Sequence, residues 1–137
     1  MAHHMPKYLL DTNILLYAYR NQGQCRVKLA QTPTADVAIN SVLVYEIEYG
    51  LVKSNNPNRL RTFLSLMQQR YVTLNMCTQS AVKAGQLRAF LESQGQIIGP
   101  YDMLIAGIAL AHDLTIVTRN TREFERVPGL RVENWYD

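Results

Sequence analysis

Apolar positions in this chain cluster into short strand-like runs separated by longer helical stretches. Tyr8, Leu9 and Leu10 form a run of the kind a buried parallel strand shows. It predicts a first strand over residues 7–11, ending at Asp11, with Asn13 capping a helix over 14–20. The NQGQ stretch at 21–24 breaks that helix, and a short basic helix with Arg26 and Lys28 follows. Val37, Ala38 and Ile39 predict a second strand. Ser41 then caps SVLVYEIEYGLV, a helix apolar on nearly every face except at Glu46 and Glu48, which marks it as buried. A turn at 55–58 precedes a helix over 59–69, and residues 71–74 read as a third strand. Thr78 opens a long amphipathic helix reaching about residue 93. Gly99-Pro100 starts another, continued by MLIAGIALA at 103–111. Residues 115–118 predict a fourth strand, 119–121 a loop, and 130–133 a short last strand after the Pro128-Gly129 turn.

Strands alternating with helices predict an α/β fold, a parallel twisted sheet of four to five strands with helices on both faces. The expected doubly wound strand order is 3-2-1-4-5. Asp11 then sits at the carboxyl end of a central strand, at the crevice where open α/β sheets bind ligands.

Composition narrows the chemistry. At 137 residues the chain is expected to form one domain, and 47% hydrophobic with 18% charged residues fits a globular protein. No apolar run approaches the ~20 residues of a membrane span, and the start lacks the charged head and apolar core of a secretory signal. His3 and His4 are read as an added tag, which sets residues 1–5 apart from a domain over 6–137. Cys25 and Cys77 show no metal-ligand spacing and fit reduced thiols in the cytoplasm. A net charge of +3 permits an RNA or acidic protein partner without specifying either. Outside the tag His112 is the only histidine, which disfavours paired-histidine cleavage, a Ser/His/Asp triad and His-rich metal sites. Hydrolytic chemistry would then rest on carboxylates holding a hard cation.

Of the 11 acidic residues, Asp36, Glu92, Asp113, Glu125, Glu133 and Asp137 fall in loops or on mixed polar faces, where solvation accounts for them. Asp11, Glu46, Glu48, Asp102 and Glu123 remain. Asp11 ends a buried strand, where helix capping is the ordinary reason for an aspartate and the strand-end crevice the functional one. Asp102 falls in the first turn of the helix from Pro100, where the macrodipole favours a carboxylate by ~0.3–1 kcal/mol. Glu46 and Glu48 project roughly 200° apart, so both cannot face one site. Both faces of their helix are hydrophobic, and the pattern leaves the choice between them open. A salt bridge to a neighbouring arginine is the structural alternative for either. Asn120 follows the fourth strand, which lies beside the first in this order, and so falls at the same edge as Asp11. A plain turn role is its structural alternative. Arg119, Arg122 and Arg126 form a basic cluster around it, of a kind that is mostly solvated surface.

Four stretches together resemble PIN-domain proteins, specifically the VapC-type toxins of bacterial toxin–antitoxin pairs. They are LLDTNILLY (9–17), SVLVYEIEYG (41–50), IGPYDMLIAGIALA (98–111) and TIVTRNTREFERVPGLRVENW (115–135), and the likeness covers residues 8–135. By that resemblance the first acidic position of the family is Asp11, with Thr12 and Asn13 beside it. The second is Glu46, which leaves Glu48 outward, and the third is Asp102. The fourth, often aspartate in PIN domains, is here Asn120. A neutral amide offers a metal less charge, and Glu123 is placed to compensate directly or through water.

The resemblance implies a Mg²⁺- or Mn²⁺-dependent endoribonuclease whose commonest substrate class is transfer RNA. Asp11 and Asp102 would hold the ion, and Glu46 and Asn120 would position the attacking water. Asn13 and Thr118 would support the site, and Arg119 and Arg122 would contact RNA. It also implies a homodimer held inactive by a cognate VapB-like antitoxin, the complex binding its own operator DNA. Tyr45, Tyr49, Leu51 and the helix around 60–67 would offer apolar surface for those contacts. A haloacid-dehalogenase-like phosphatase would need a second Asp where Asn13 stands, and a receiver domain an acidic pair. Both need a late lysine, and the last here is Lys83. The remaining alternative is a PIN-like module that binds RNA or protein without cutting, against which the presence of Asp11, Glu46 and Asp102 speaks.

Overall fold

The computed structural model describes residues 4–137, so residues 1–3 of the stretch read as a tag lie outside the described residues. Five strands form: β1 (Tyr8–Leu10), β2 (Val37–Asn40), β3 (Val72–Leu74), β4 (Thr115–Val117) and β5 (Val132–Glu133). Around them run α1 (Thr12–Arg20), α2 (Cys25–Gln31), α3 (Ser41–Lys53), α4 (Asn58–Arg70), α5 (Thr78–Ser93), α6 (Pro100–Ala111) and α7 (Thr121–Phe124). The sheet is parallel throughout, in the expected order β3-β2-β1-β4-β5. Among the described residues no helix is long and apolar enough to cross a membrane.

The two-residue period of the strands divides the core in two. Leu9, Ala38 and Ile116 face one layer, where Leu87 and Leu91 of α5 meet Ile105 and Ala109 of α6. Leu10, Val37, Ile39 and Val117 face the other, against Ile14 and Leu15 of α1, Leu43 and Leu51 of α3, and Leu64 of α4. Burying each large side chain on its own face is worth ~1.5–3 kcal/mol. A one-residue slip would turn every one of them the wrong way, so the register is fixed. That register sets Leu10 opposite Val117 and leaves the next residues, Asp11 and Thr118, side by side at the carboxyl edge.

Packing between α5 and α6 depends on a glycine. A Cβ at Gly107 would lie 2.6 Å from the Ser80 carbonyl oxygen and 2.8 Å from the Ala84 Cβ, so only glycine admits this approach. It holds α6, with Asp102 in its first turn, close against α5.

Several expectations are corrected. Asp11, not Asn13, is the N-cap of α1, and Asn40, not Ser41, is the N-cap of α3. Each belongs to the strand end itself, so the chain passes from strand to helix without the extra residue the pattern allowed. The Ser41 hydroxyl accepts instead from the Met76 N–H at 3.0 Å. Residues 121–124, read partly as loop, form α7, too short to show a period and pinned by the fully buried Phe124. Leu130 closes a turn onto the Val127 carbonyl, which shortens the last strand from 130–133 to β5. Asp36 is buried rather than solvated: its carboxylate meets His4 Nε2 at 2.6 Å and Lys7 Nζ at 3.9 Å.

Candidate active site

Asp11 leaves β1 with both carboxylate oxygens engaged. Thr12 donates its backbone N–H to Oδ1 at 2.7 Å, and Thr118 donates its hydroxyl to Oδ2 at 2.9 Å. Thr118, fully buried just past β4, also accepts the Asn120 N–H at 2.9 Å and so sets the path of the following loop.

The geometry decides between the two glutamates of α3. Thr12 donates its hydroxyl to Glu46 Oε1 at 2.7 Å, turning Glu46 toward Asp11. Glu48 points away and pairs with Arg61 of α4, whose Nη1 lies 3.0 Å from one carboxylate oxygen and 3.1 Å from the other.

Asp102 and Glu123 converge over Gly99. A Cβ placed there would lie 3.4 Å from Asp102 Oδ2 and 3.4 Å from Glu123 Oε1, so the glycine keeps open the space the two carboxylates share. Glu123 accepts from the Gly99 backbone N–H and from the Asn120 side-chain amide, bracing α7 against the start of α6.

These acids sense one another. Burial pushes the Asp11 carboxyl up to about 6 against the hydrogen bonds from Thr118 and Thr12, with the charges of Glu46 and Glu123 adding to the rise. Burial likewise pushes Asp102 up to about 8, helped by the charges of Asp11 and Glu123 and, less, by Glu46. Like charges held together in a desolvated crevice favour keeping a proton or gaining a cation. Among the described residues no group of three or more Asp, Glu, His or Cys side chains is arranged as a ready metal cage. Mg²⁺ asks for less, since it commonly takes one or two carboxylates and keeps several waters. The all-oxygen donors Asp11 and Asp102, with their raised proton affinity, fit such an ion.

Beside Asp11 opens a pocket of about 250 Å³ lined by Asp11, Asn13, Tyr17, Arg119 and Asn120. Asn13 is exposed on the first turn of α1 and faces this space. The basic cluster separates in space: Arg119 lines the pocket, Arg122 is exposed, and Arg126 donates to the Ile97 carbonyl at 3.0 Å. Of the expected apolar surface Tyr45 and Tyr49 are exposed, but Leu51 is buried. The 60–67 segment of α4 buries Leu64, and Leu66 is its exposed large apolar residue.

Pattern alone does not mark Thr12, Gly99, Tyr17 or Tyr136 as site residues. Thr12 carries the one available signal, as the polar residue next to a strand-end aspartate. The others act through contacts with residues distant in the chain.

The PIN domain family model matches residues 8–130. The "tRNA(fMet)-specific endonuclease VapC" of Salmonella typhimurium is 38% identical over 131 residues, covering 96% of this chain and 99% of the relative. "Ribonuclease VapC2" of Rickettsia felis is 36% identical over 132 residues, covering 93% and 97%. Among solved structures, DNA-bound VapBC from Salmonella typhimurium superposes with a TM-score of 0.87 at 38% identity, covering 96% of this chain and 99% of that one. VapBC2 from Rickettsia felis, bound to a DNA fragment from its promoter, gives 0.84 at 34% identity, covering 93% and 98%. Near-complete coverage at these identities, over the same elements that carry the clustered carboxylates, makes this chain a member of the PIN-domain family, of its VapC type.

Proposed function

We propose that this protein is a divalent-metal-dependent endoribonuclease toxin, neutralised by a VapB-like antitoxin. The observation that carries the reading is the convergence of Asp11, Glu46, Asp102 and Glu123 at one sheet edge, where burial first and their mutual charges second raise the proton affinity of Asp11 and Asp102. The ribonuclease names of the relatives support RNA as the substrate, and the Salmonella relative supports transfer RNA, with initiator transfer RNA the first to test. The VapBC complexes among the structural neighbours support an antitoxin partner and operator binding through the complex. A cytoplasmic location and a homodimer belong to the same reading.

Asp11 and Asp102 would supply the ligand oxygens for Mg²⁺ or Mn²⁺. When bound, the ion neutralises phosphate charge and lowers the pKa of a water. Glu46, fixed through Oε1 by Thr12, keeps Oε2 to accept a proton from the attacking water. Asn120, tethered through its amide nitrogen to Glu123, keeps its carbonyl oxygen to orient that water. Attack at phosphorus breaks the bond to the 3′ oxygen, leaving a 3′-hydroxyl and a 5′-phosphate. The 2′-hydroxyl takes no part.

The test is cleavage of total transfer RNA, and then of ribosomal RNA, by purified protein with Mg²⁺, Mn²⁺ or EDTA, beside Asp102→Asn, with the fragment ends mapped. Discrete cuts that need metal, vanish in the variant and carry 5′-phosphates are expected. Cyclic 2′,3′-phosphate ends, or cutting that survives EDTA, would overturn the mechanism. Intact transfer and ribosomal RNA under every condition would leave the non-cutting PIN-like module as the better reading.

A further inference from the structure

The pocket beside Asp11 holds a cation that the hydrolytic machinery does not use. Arg119 lies with its guanidinium 3.6 Å from the Tyr136 ring centroid and 5.5 Å from that of Tyr17, and Nη1 reaches the Tyr17 hydroxyl at 3.5 Å. Tyr17 and Tyr136 themselves pack edge to face at 4.8 Å. Among the described residues Arg119 forms no salt bridge. A guanidinium has five donor hydrogens, of which Tyr17 engages one, and Arg119 lines the pocket. An exposed arginine loses considerable rotamer freedom when it binds a ligand. Stacking on an aromatic face removes part of that cost before the ligand arrives.

The stack is built by the segment that follows β5. Trp135 is buried and meets Tyr8 at 5.2 Å between ring centroids, anchoring that segment to β1. Gln24 donates its N–H to the Tyr136 carbonyl at 2.8 Å. Gly23 has φ +62°, and a Cβ there would lie 2.6 Å from the Tyr136 carbonyl oxygen and 2.7 Å from its ring, so only glycine allows this seat. The NQGQ break after α1 therefore does more than end a helix: it seats Tyr136, on whose ring the guanidinium lies.

We infer that this pocket is a phosphate subsite for single-stranded RNA. In it Arg119 holds a phosphate next to the one that is cut, and Tyr136 acts as the positioning residue that aims it. The anion follows from the chemistry: an unpaired, pre-oriented guanidinium beside acids matched to a cation gives one wall for a phosphate and one for the metal that neutralises the next. The pocket opens at the sheet edge and is lined by the same Asp11, so it adjoins the reacting phosphate. The inference rests on the ribonuclease reading and extends it.

The test measures binding of a short fluorescein-labelled single-stranded RNA of mixed sequence in the presence of Mg²⁺, in Asp102→Asn protein that the mechanism leaves unable to cut. Arg119→Ala should weaken binding about tenfold. It should also make the slope of log affinity against log salt shallower by about 0.7, the signature of one lost phosphate contact on a single strand. Tyr136→Leu should weaken binding about threefold, while Tyr136→Phe, which keeps the ring, should not. In the Arg119→Ala background Tyr136→Leu should cost nothing more. A structural role for Tyr136 would predict the opposite, and melting curves for each variant show whether the fold is intact. Unchanged affinity and salt slope in Arg119→Ala would overturn the subsite. If the parent protein still cuts RNA in that case, the nuclease reading stands and the subsite alone falls. If the parent neither binds nor cuts RNA, both fall.

Discussion

Thr12 donates its hydroxyl to Glu46 at 2.7 Å, joining the first turn of α1 to the middle of α3 across the edge of the proposed site. The bond fixes one oxygen of the proposed proton acceptor and leaves the other for water. Thr12→Val keeps the shape of the buried side chain and removes only the donor. It should lower kcat/KM on RNA by about tenfold to a hundredfold, part of the ~10²–10⁴-fold that a positioned general base contributes, while Thr12→Ser stays near the parent. Cleavage rates alongside melting curves check this. Equal activity in Thr12→Val would mean that Glu46 needs no such support, or is not the base.

Stability without metal should fall as pH rises. In the unfolded chain Asp11 and Asp102 titrate near 3.8, whereas in the fold Asp11 is pushed up to about 6 and Asp102 to about 8. Between these values the folded state binds more protons than the unfolded one, so each unit of pH costs stability. In EDTA the Tm is expected to fall by several degrees between about pH 5 and pH 8, at ~4 °C per kcal/mol for a chain of this size. Asp102→Asn removes the group titrating higher and should flatten the upper half of that slope. A Tm that climbs equally with pH in both proteins would contradict the crowded-carboxylate picture.

Metal should reverse the trend. A cation bound only by the folded state stabilises it, by about 1.4 kcal/mol at ten times Kd. It also competes with the protons on Asp11 and Asp102. Mg²⁺ or Mn²⁺ at millimolar levels should therefore raise the Tm more at about pH 8 than at about pH 5. In Asp102→Asn the metal-free protein at about pH 8 should melt higher than the parent, because a buried charge and its repulsion by Asp11 and Glu123 are removed, yet gain little from metal. Differential scanning with both proteins decides this, and no metal response in the parent at either pH would count against the site.

The legible part of this molecule is what depends on period. Leu9 and Leu10 facing opposite layers, and the strand–helix alternation, lead to the sheet and its order, and with it to the edge where Asp11 lies. Period cannot choose between Glu46 and Glu48, because both faces of α3 are apolar. The choice is made by two partners far along the chain, Thr12 for one and Arg61 for the other. Resemblance to a family selects Glu46, where periodicity alone has no means to. Asp36 misleads a sequence reading for the same reason, since its partners His4 and Lys7 lie about 30 residues away. Arg119 stands out in the sequence only as one of a basic cluster. Nothing in that cluster distinguishes it from Arg122 or Arg126, because the ring that aims it arrives from the segment after β5.

Asn40 ties the edge of the proposed site together and should be the most costly small polar residue to change. It is fully buried at the end of β2, donates from Nδ2 to the Leu10 carbonyl at 3.1 Å, and accepts the Leu43 N–H on Oδ1 at 2.8 Å. One amide thus caps α3 and satisfies the last carbonyl of β1, the residue before Asp11. Asn40→Ala loses the cap and leaves a buried carbonyl without a partner, which together cost about 2–4 kcal/mol. Asn40→Asp is the sharper variant. It keeps the acceptor for Leu43 but sets an oxygen against the Leu10 carbonyl oxygen, and is expected to be no more stable than Asn40→Ala at neutral pH. At acid pH the introduced carboxyl takes up a proton and regains a donor, so the gap between Asn40→Asp and the parent should narrow as the pH falls. Urea unfolding at about pH 7 and about pH 4.5 measures both gaps. A gap in Asn40→Asp that widens on acidification would mean that the donor to Leu10 is not what Asn40 contributes.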